Sequence, residues 1–196
     1  MKFSKETLAI MNNFATVNGN LGLQPGSFLE TVAPERNIRV SAKIEEEIPS
    51  EFYIYDMSTF LAVLNMMPDA DIVFNGNTIE IIDGNKKIRY GSADKSILAL
   101  PQGPSHMKVH PYATLSIDDL TISAIKKAAG IFGLPNLRIS GDGETISATV
   151  IDIKNPSTNV YEVQLGKTDK TFNADFLIST LKLISGDYKV TLDSKY

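Results

Sequence analysis

The sequence predicts an α+β fold built from two copies of one plan, and three observations predict it. The order strand, helix, three strands, helix, strand runs twice along the 196 residues. Short alternating segments are separated by Asn-Gly, Pro-Gly and Asp-Gly pairs, the turn signals of antiparallel sheet. Four other stretches place apolar residues at helical spacing. With 43% hydrophobic and 21% charged residues, the composition is that of an ordinary folded chain, long enough to bury cores without covalent staples. There is no cysteine, which excludes disulfides, thiolate metal sites and thiol catalysis. No apolar run approaches the roughly 20 residues that span a bilayer, and the opening residues form no signal-peptide core. A protein working inside a cell is expected.

In the first half, residues 1–4 read as a short strand and residues 5–17 as a helix, with Ser4 as N-cap and Glu6 in its first turn. Strands follow over 21–23, 26–32 and 38–44, turned by Asn18-Gly19 and Pro25-Gly26. Glu45, Glu46 and Glu47 read as a solvated strand end or loop. Residues 52–55 form a strand, and residues 57–67 a helix capped by Asp56 and ended by Pro68. Strands 71–74, 78–82 and 87–90 are joined by hairpin turns at Asn75-Gly76 and Asp83-Gly84.

Domain 1 is thus expected over residues 1–93. Residues 94–111 lack periodicity, contain Pro101, Gly103, Pro104 and Pro111, and read as an interdomain connector. Domain 2, residues 112–196, repeats the programme. Strand 112–117 and helix 118–129 come first, then strands 137–140, 145–152 and 160–165 with a turn at Asp142-Gly143. A second helix, 174–184, is capped by Asn173 and stopped at Ser185-Gly186, and strand 187–192 follows.

Each helix shows a polar stripe of small side chains. These stripes are Lys5, Ala9, Asn12 and Thr16; Ser58, Ala62 and Asn65; Asp119, Ser123 and Lys126; and Asp175, Ser179 and Lys182. Charge is uneven. Residues 1–93 carry eight Lys and Arg against twelve Asp and Glu, whereas residues 94–196 carry eleven of each. The net charge of -4 taken alone argues against nucleic acid, so individual lysines have to decide.

No catalytic constellation is present, and no enzyme, cofactor or metal is expected. The chain has no P-loop, G-x-S-x-G, H-E-x-x-H or G-x-G-x-x-G. His106 and His110 lie in the proline-rich connector, where an i, i+4 pair has no helix to align it. Gly141-Asp142-Gly143-Glu144 is too short for a calcium loop and reads as a hairpin turn. Asp118 and Asp119 stand where a helix start favours acids.

The opening MKFSKETLAIMNNFATVN, the segment FYIYDMSTFLAVLN and the closing FNADFLISTLKLISGDYKV resemble the sliding clamps of T-even-type tailed phages, the processivity factors of phage DNA polymerase. The similarity runs over essentially the whole chain. It implies a homotrimeric ring with two clamp-fold domains per subunit, sheets outside and helices lining a hole that encircles double-stranded DNA without regard to sequence. It further implies a clamp-loader ATPase, a DNA polymerase partner, a role in late transcription, no membrane, and residence in the cytoplasm of an infected bacterial host. Read from the residues alone, a phage structural or assembly protein with a duplicated β-rich domain and no DNA role is the alternative.

The resemblance turns Lys5, Asn12, Lys126, Lys127 and Lys182 toward DNA; without it, these positions read rather as solvated helix faces. A ring held by topology needs weak contacts, because each firm phosphate contact adds salt-dependent affinity and slows sliding. The resemblance also implies a subunit joint in which Lys87, Arg89 and Tyr90 meet Tyr161, Glu162 and Val163 of a neighbour through charged edge strands. A partner groove is implied at Ile97, Leu98, Leu100 and Pro101, residues that read otherwise as pins holding the connector down. Strand 188–192 is followed by four residues, against seventeen after its counterpart in the first half. Domain 2 is therefore expected to lack its last two strands, as in a truncated chain.

Overall fold

The computed structural model describes residues 1–103 and 110–193. The chain divides into two compact units, Met1–His106 and Met107–Tyr196.

Unit 1 opens with α1 (Lys5–Ala15), whose N-cap Ser4 accepts from the Thr7 N–H at 3.1 Å. Its buried face is Thr7, Ile10, Met11 and Phe14. Residues 1–3 form no strand of their own, yet Met1 exchanges two backbone hydrogen bonds with Ile72, at 2.7 and 3.0 Å. β1 (Leu21–Leu23) pairs with β4 (Phe52–Ile54), and β2 (Gly26–Val32) with β3 (Arg39–Ile48). Residues Glu45 to Glu47 belong to β3, where Glu46 turns inward. α2 (Met57–Met66) is capped by Asp56, which accepts from the Thr59 N–H and hydroxyl. β5 (Asp71–Asn75), β6 (Thr78–Asp83) and β7 (Lys86–Gly91) form a three-stranded meander with β7 at its edge. Phe14, Phe52, Phe60 and Met11 are the largest fully buried side chains of a core that α1, α2 and the strands share.

Unit 2 repeats the pairing plan. β8 (Pro111–Ile117) leads into α3 (Asp119–Phe132), capped by Asp118 accepting from the Thr121 N–H. The helix runs three residues past the expected end at Ala129. Gly133, with φ 65°, supplies the left-handed stop, and the Leu134 N–H reaches back to the Ala129 carbonyl. β9 (Asn136–Asp142), β10 (Thr145–Ile151), β11 (Tyr161–Lys167) and β12 (Thr171–Leu177) form a sheet in the order β11-β10-β9-β12. β13 (Tyr188–Asp193) pairs with β8. The duplication is therefore visible in the partners. The strand after the first helix pairs with a later one in both units (β1 with β4, β9 with β12), and the segment before that helix pairs with a late strand (Met1 with β5, β8 with β13).

One expected element is absent. Residues 174–184 do not form a fourth helix: Ala174 to Leu177 belong to β12, and a single 3-10 turn, Ile178–Thr180, follows. The cause is a competing period. In TFNADFL, Phe172, Ala174 and Phe176 alternate inward while Asp175 faces its cross-strand partner Arg138, 2.7 Å away. Asn173, read as a helix cap, pairs with Ser140 instead. What remains before Ser185-Gly186 is too short to repay helix nucleation. Lys182 accordingly sits half-buried in an irregular segment, not on a helical stripe. Among the described residues there are three α-helices.

Candidate nucleic-acid and partner interfaces

The outward face of α1 is the expected one. Lys5, Ala9, Asn12 and Thr16 lie along one stripe on the solvent side, and the Asn12 amide donates back to the Leu8 carbonyl at 2.8 Å. The first turn is fastened from β3: the Glu46 carboxylate accepts from the Ser4 N–H and the Thr7 hydroxyl. Burial pushes the Glu46 carboxyl up, but the hydrogen bonds from Thr7 and Ser4 outweigh it and hold the group below the usual carboxylate range. α2 presents Ser58, Ala62 and Asn65.

On α3 the exposed line differs by one position from the expected stripe. Leu120, Lys127, Gly130 and Ile131 are exposed, with Ser123 in line, whereas Lys126 is half-buried and its Nζ donates to the Leu183 carbonyl at 3.4 Å. Lys5 and Lys127 are therefore the exposed helix-face lysines among the five candidates. His106 lies outside the described residues, and His110 donates its backbone N–H to Asp193. No cluster of three potential metal ligands occurs among the described residues.

β7 and β11 are each the end strand of their sheet. The Ser92 N–H bonds to the Asn77 carbonyl at 2.8 Å, so the backbone of Ile88 and Tyr90 points to β6 and that of Lys87 and Arg89 points outward. Glu80 on β6 lies between Lys87, at 2.6 Å, and Arg89, at 3.8 Å. Tyr90 turns into the unit's own core, its ring centroid 5.1 Å from that of Phe60, and burial followed by the charge of Asp56 pushes its hydroxyl above the usual range. The Ile178 N–H bonds to the Pro135 carbonyl, which sets the alternation across β12, β9 and β10 and leaves the backbone of Glu162 on the open side of β11. Tyr161 and Val163 turn toward the unit 2 core.

Leu100 and Pro101 line a cavity of about 320 Å³ with Gly22, Gln24, Phe28, Glu30 and Lys95. Phe28 is 62% exposed, a large apolar ring left at the cavity rim. Ile97 is equally exposed but does not line the cavity, and Leu98 is half-buried. Residues that sequence reasoning missed hold this segment: Asn18, Asn20 and Arg39. In the sequence the first reads only as part of an Asn-Gly turn, and no local pattern marks the other two.

The sequence profile of the DNA polymerase processivity factor family matches residues 4–100. The sliding clamp of Enterobacteria phage T4 is 29% identical over 214 residues, covering 100% of this chain and 88% of its own length. That of Escherichia phage RB69 is 28% identical, covering 98% and 87%. The A. fulgidus clamp PCNA, solved with the C-terminal region of FEN-1, superposes with a TM-score of 0.69 at 14% identity, over 98% of this chain and 86% of its own. With the repeated pairing plan in both units, the chain is similar over essentially its whole length to the sliding clamps of T4-type phages, and residues 4–100 match the DNA polymerase processivity factor family.

Proposed function

We propose that copies of this chain close into a homotrimeric ring that encircles duplex DNA, is opened and loaded by an ATPase, and tethers the replicative polymerase in the cytoplasm of the infected host. The role is that of a tether with no reaction of its own. One observation carries this reading: each unit sets an amphipathic helix with a sparsely charged outer face against a charged strand that ends its sheet among the described residues, α2 against β7 through Phe60 and Tyr90, and α3 against β11.

The helix faces suit sliding. Lys5 stands among Ala9, Asn12 and Thr16, and Lys127 in line with Ser123 beside the exposed Leu120 and Ile131, so each face carries few charges and gives a weak attraction to phosphate that topology, not affinity, makes sufficient. The edges suit closure. The backbone of β7 and that of β11 each offer an open ladder, and Arg89 and Glu162 supply opposite charges whose cross-strand attraction is worth some tenths of a kcal/mol. The cavity beside Leu100 and Pro101 is the proposed seat for an apolar side chain of a polymerase or loader peptide.

Retention on DNA tests the reading directly. The protein, loaded by its ATPase onto nicked circular DNA, should remain bound, and linearising the circle should release it within the time needed to slide to an end. Equal retention on both forms would remove the ring. Light scattering after size exclusion should give three times the chain mass.

A further inference from the structure

We propose that Asn18, Asn20 and Arg39 are positioning residues that clasp residues 99–103 as a strap and thereby hold the partner groove in its binding shape. This rests on the reading of the cavity as a peptide seat, and it concerns how the seat is built.

The strap belongs to no strand or helix, yet its backbone is tied at both ends by side chains. At the near end the Ala99 carbonyl accepts from Asn18 Nδ2 at 2.7 Å, and the Ala99 N–H donates to Asn20 Oδ1 at 3.2 Å. Asn18 is 5% exposed, and its amide orientation is fixed on every side. The second Nδ2 proton goes to the Val32 carbonyl at 2.9 Å, and Oδ1 accepts from the Asn20 N–H at 2.9 Å. At the far end Arg39 donates through Nη1 to the Gln102 carbonyl and through Nη2 to the Gly103 carbonyl, both at 3.2 Å. The guanidinium is itself held in plane by a two-point pair with Glu30, at 2.8 and 2.9 Å.

Only Leu100 and Pro101 lie between the two clasps, and both line the cavity. Leu100 seats on Gly22, where a Cβ would come within 3.2 Å of Leu100 Cδ2. Glu30 serves twice, as cavity wall and as the anchor of Arg39. A segment without ladder hydrogen bonds would otherwise exchange its backbone partners with water and sample many shapes. The clasps remove that freedom before a peptide arrives, so the peptide does not have to order the strap itself. A loosened strap lowers the fraction of binding-competent molecules, and the apparent Kd rises in proportion.

The chain has no cysteine, so Gln102→Cys, whose exposed side chain leaves the carbonyl in place, carries a single nitroxide. The probe is a synthetic peptide of the last residues of the phage's own DNA polymerase, titrated calorimetrically. Arg39→Gln and Asn20→Ala should each mobilise the label and weaken peptide binding by about tenfold if one molecule in ten keeps the seat formed. The mass given by light scattering should stay that of the wild type, because neither Arg39 nor Asn20 lies on β7 or β11. Asn20→Asp keeps the acceptor for the Ala99 N–H but loses the Nδ2 donor to the Tyr55 carbonyl, so it should recover part of both readouts relative to Asn20→Ala, which separates the clasp from a general loss of packing. Should Arg39→Gln fail to fold, the two Asn20 variants carry the test. A label left immobile in the variants overturns the clasp, and a mobile label with unchanged affinity overturns its positioning role. A wild-type protein that ignores the peptide overturns the seat itself, a failure visible without any variant.

Discussion

Glu46 of β3 and Thr7 of α1 are joined by a hydrogen bond across 39 residues of sequence, the Thr7 hydroxyl donating to Glu46 Oε2. The same carboxylate accepts from the Ser4 N–H, so a strand residue satisfies two donors at the start of the helix proposed to face DNA. Negative charge there also complements the helix dipole. The three consecutive glutamates have the pattern of a solvated run, yet one of them is the fastening of α1.

Replacing Glu46 by Ala leaves the fully buried Thr7 hydroxyl without this acceptor, and the expected cost is about 1–3 kcal/mol. The effect should follow pH. The carboxyl lies below its usual range in the folded protein, so its contribution is complete above the unfolded-state value and is lost as pH falls through the folded one. Protection of the amides in the first turn of α1, taken relative to their intrinsic exchange rates at each pH, should therefore fall in acid for the wild type and be low at all pH values for Glu46→Ala. Identical exchange in the two proteins at neutral pH would refute the fastening.

Arg138 and Asp175 face each other directly across β9 and β12 at 2.7 Å, with about a third of each side chain exposed. A double-mutant cycle with Arg138→Ala and Asp175→Ala should yield a coupling of about 0.5 kcal/mol, as exposed cross-strand pairs do. A helix over 174–184 would give these positions no shared register. Zero coupling would show that the pair adds nothing to the holding of β12 on β9.

Most of the architecture was legible because turns and caps are local. Asp56 and Asp118 cap their helices as their spacing predicts, and the hairpins at Asn75-Gly76 and Asp83-Gly84 fall between paired strands. What failed was a segment compatible with two periods. Ala174, Leu177, Leu181 and Ile184 fit a helical stripe, but Phe172, Ala174 and Phe176 also fit a strand, and the open side of β9 decides between them. The fine geometry of the candidate sites was illegible for a related reason. Asn18, Arg39 and Glu46 act on backbone or side chains far away in sequence, and no spacing rule announces such contacts.

The outward backbone of β7 and β11 makes a selective prediction about assembly. Proline at Arg89 or Glu162 removes an N–H on the open side of its strand and should abolish the trimer while each unit keeps its melting transition. Proline at Ile88 or Val163 removes an N–H that serves the unit's own sheet and should destabilise the fold as well. A trimer that survives both Arg89→Pro and Glu162→Pro, measured by light scattering, would place the joint elsewhere.

The two neighbouring lysines of α3 should behave differently toward DNA. Lys127 is exposed in line with Ser123, whereas Lys126 is half-buried with its ammonium on the Leu183 carbonyl. Combined with Lys5→Ala, replacement of Lys127 by Ala should speed the escape of loaded protein from circular DNA as salt rises. It should also lower the slope of log affinity against log salt by about one for each phosphate left without its lysine. Both positions are exposed, so stability should move by no more than about 0.5 kcal/mol. Lys126→Ala should do the reverse, costing some stability because the Leu183 carbonyl is left without its ammonium donor, with a salt slope near that of the wild type. If Lys126→Ala flattens the salt slope and Lys127→Ala does not, the half-buried face of α3 is the one that meets DNA, and the exposed line of Leu120, Lys127 and Ile131 serves another surface.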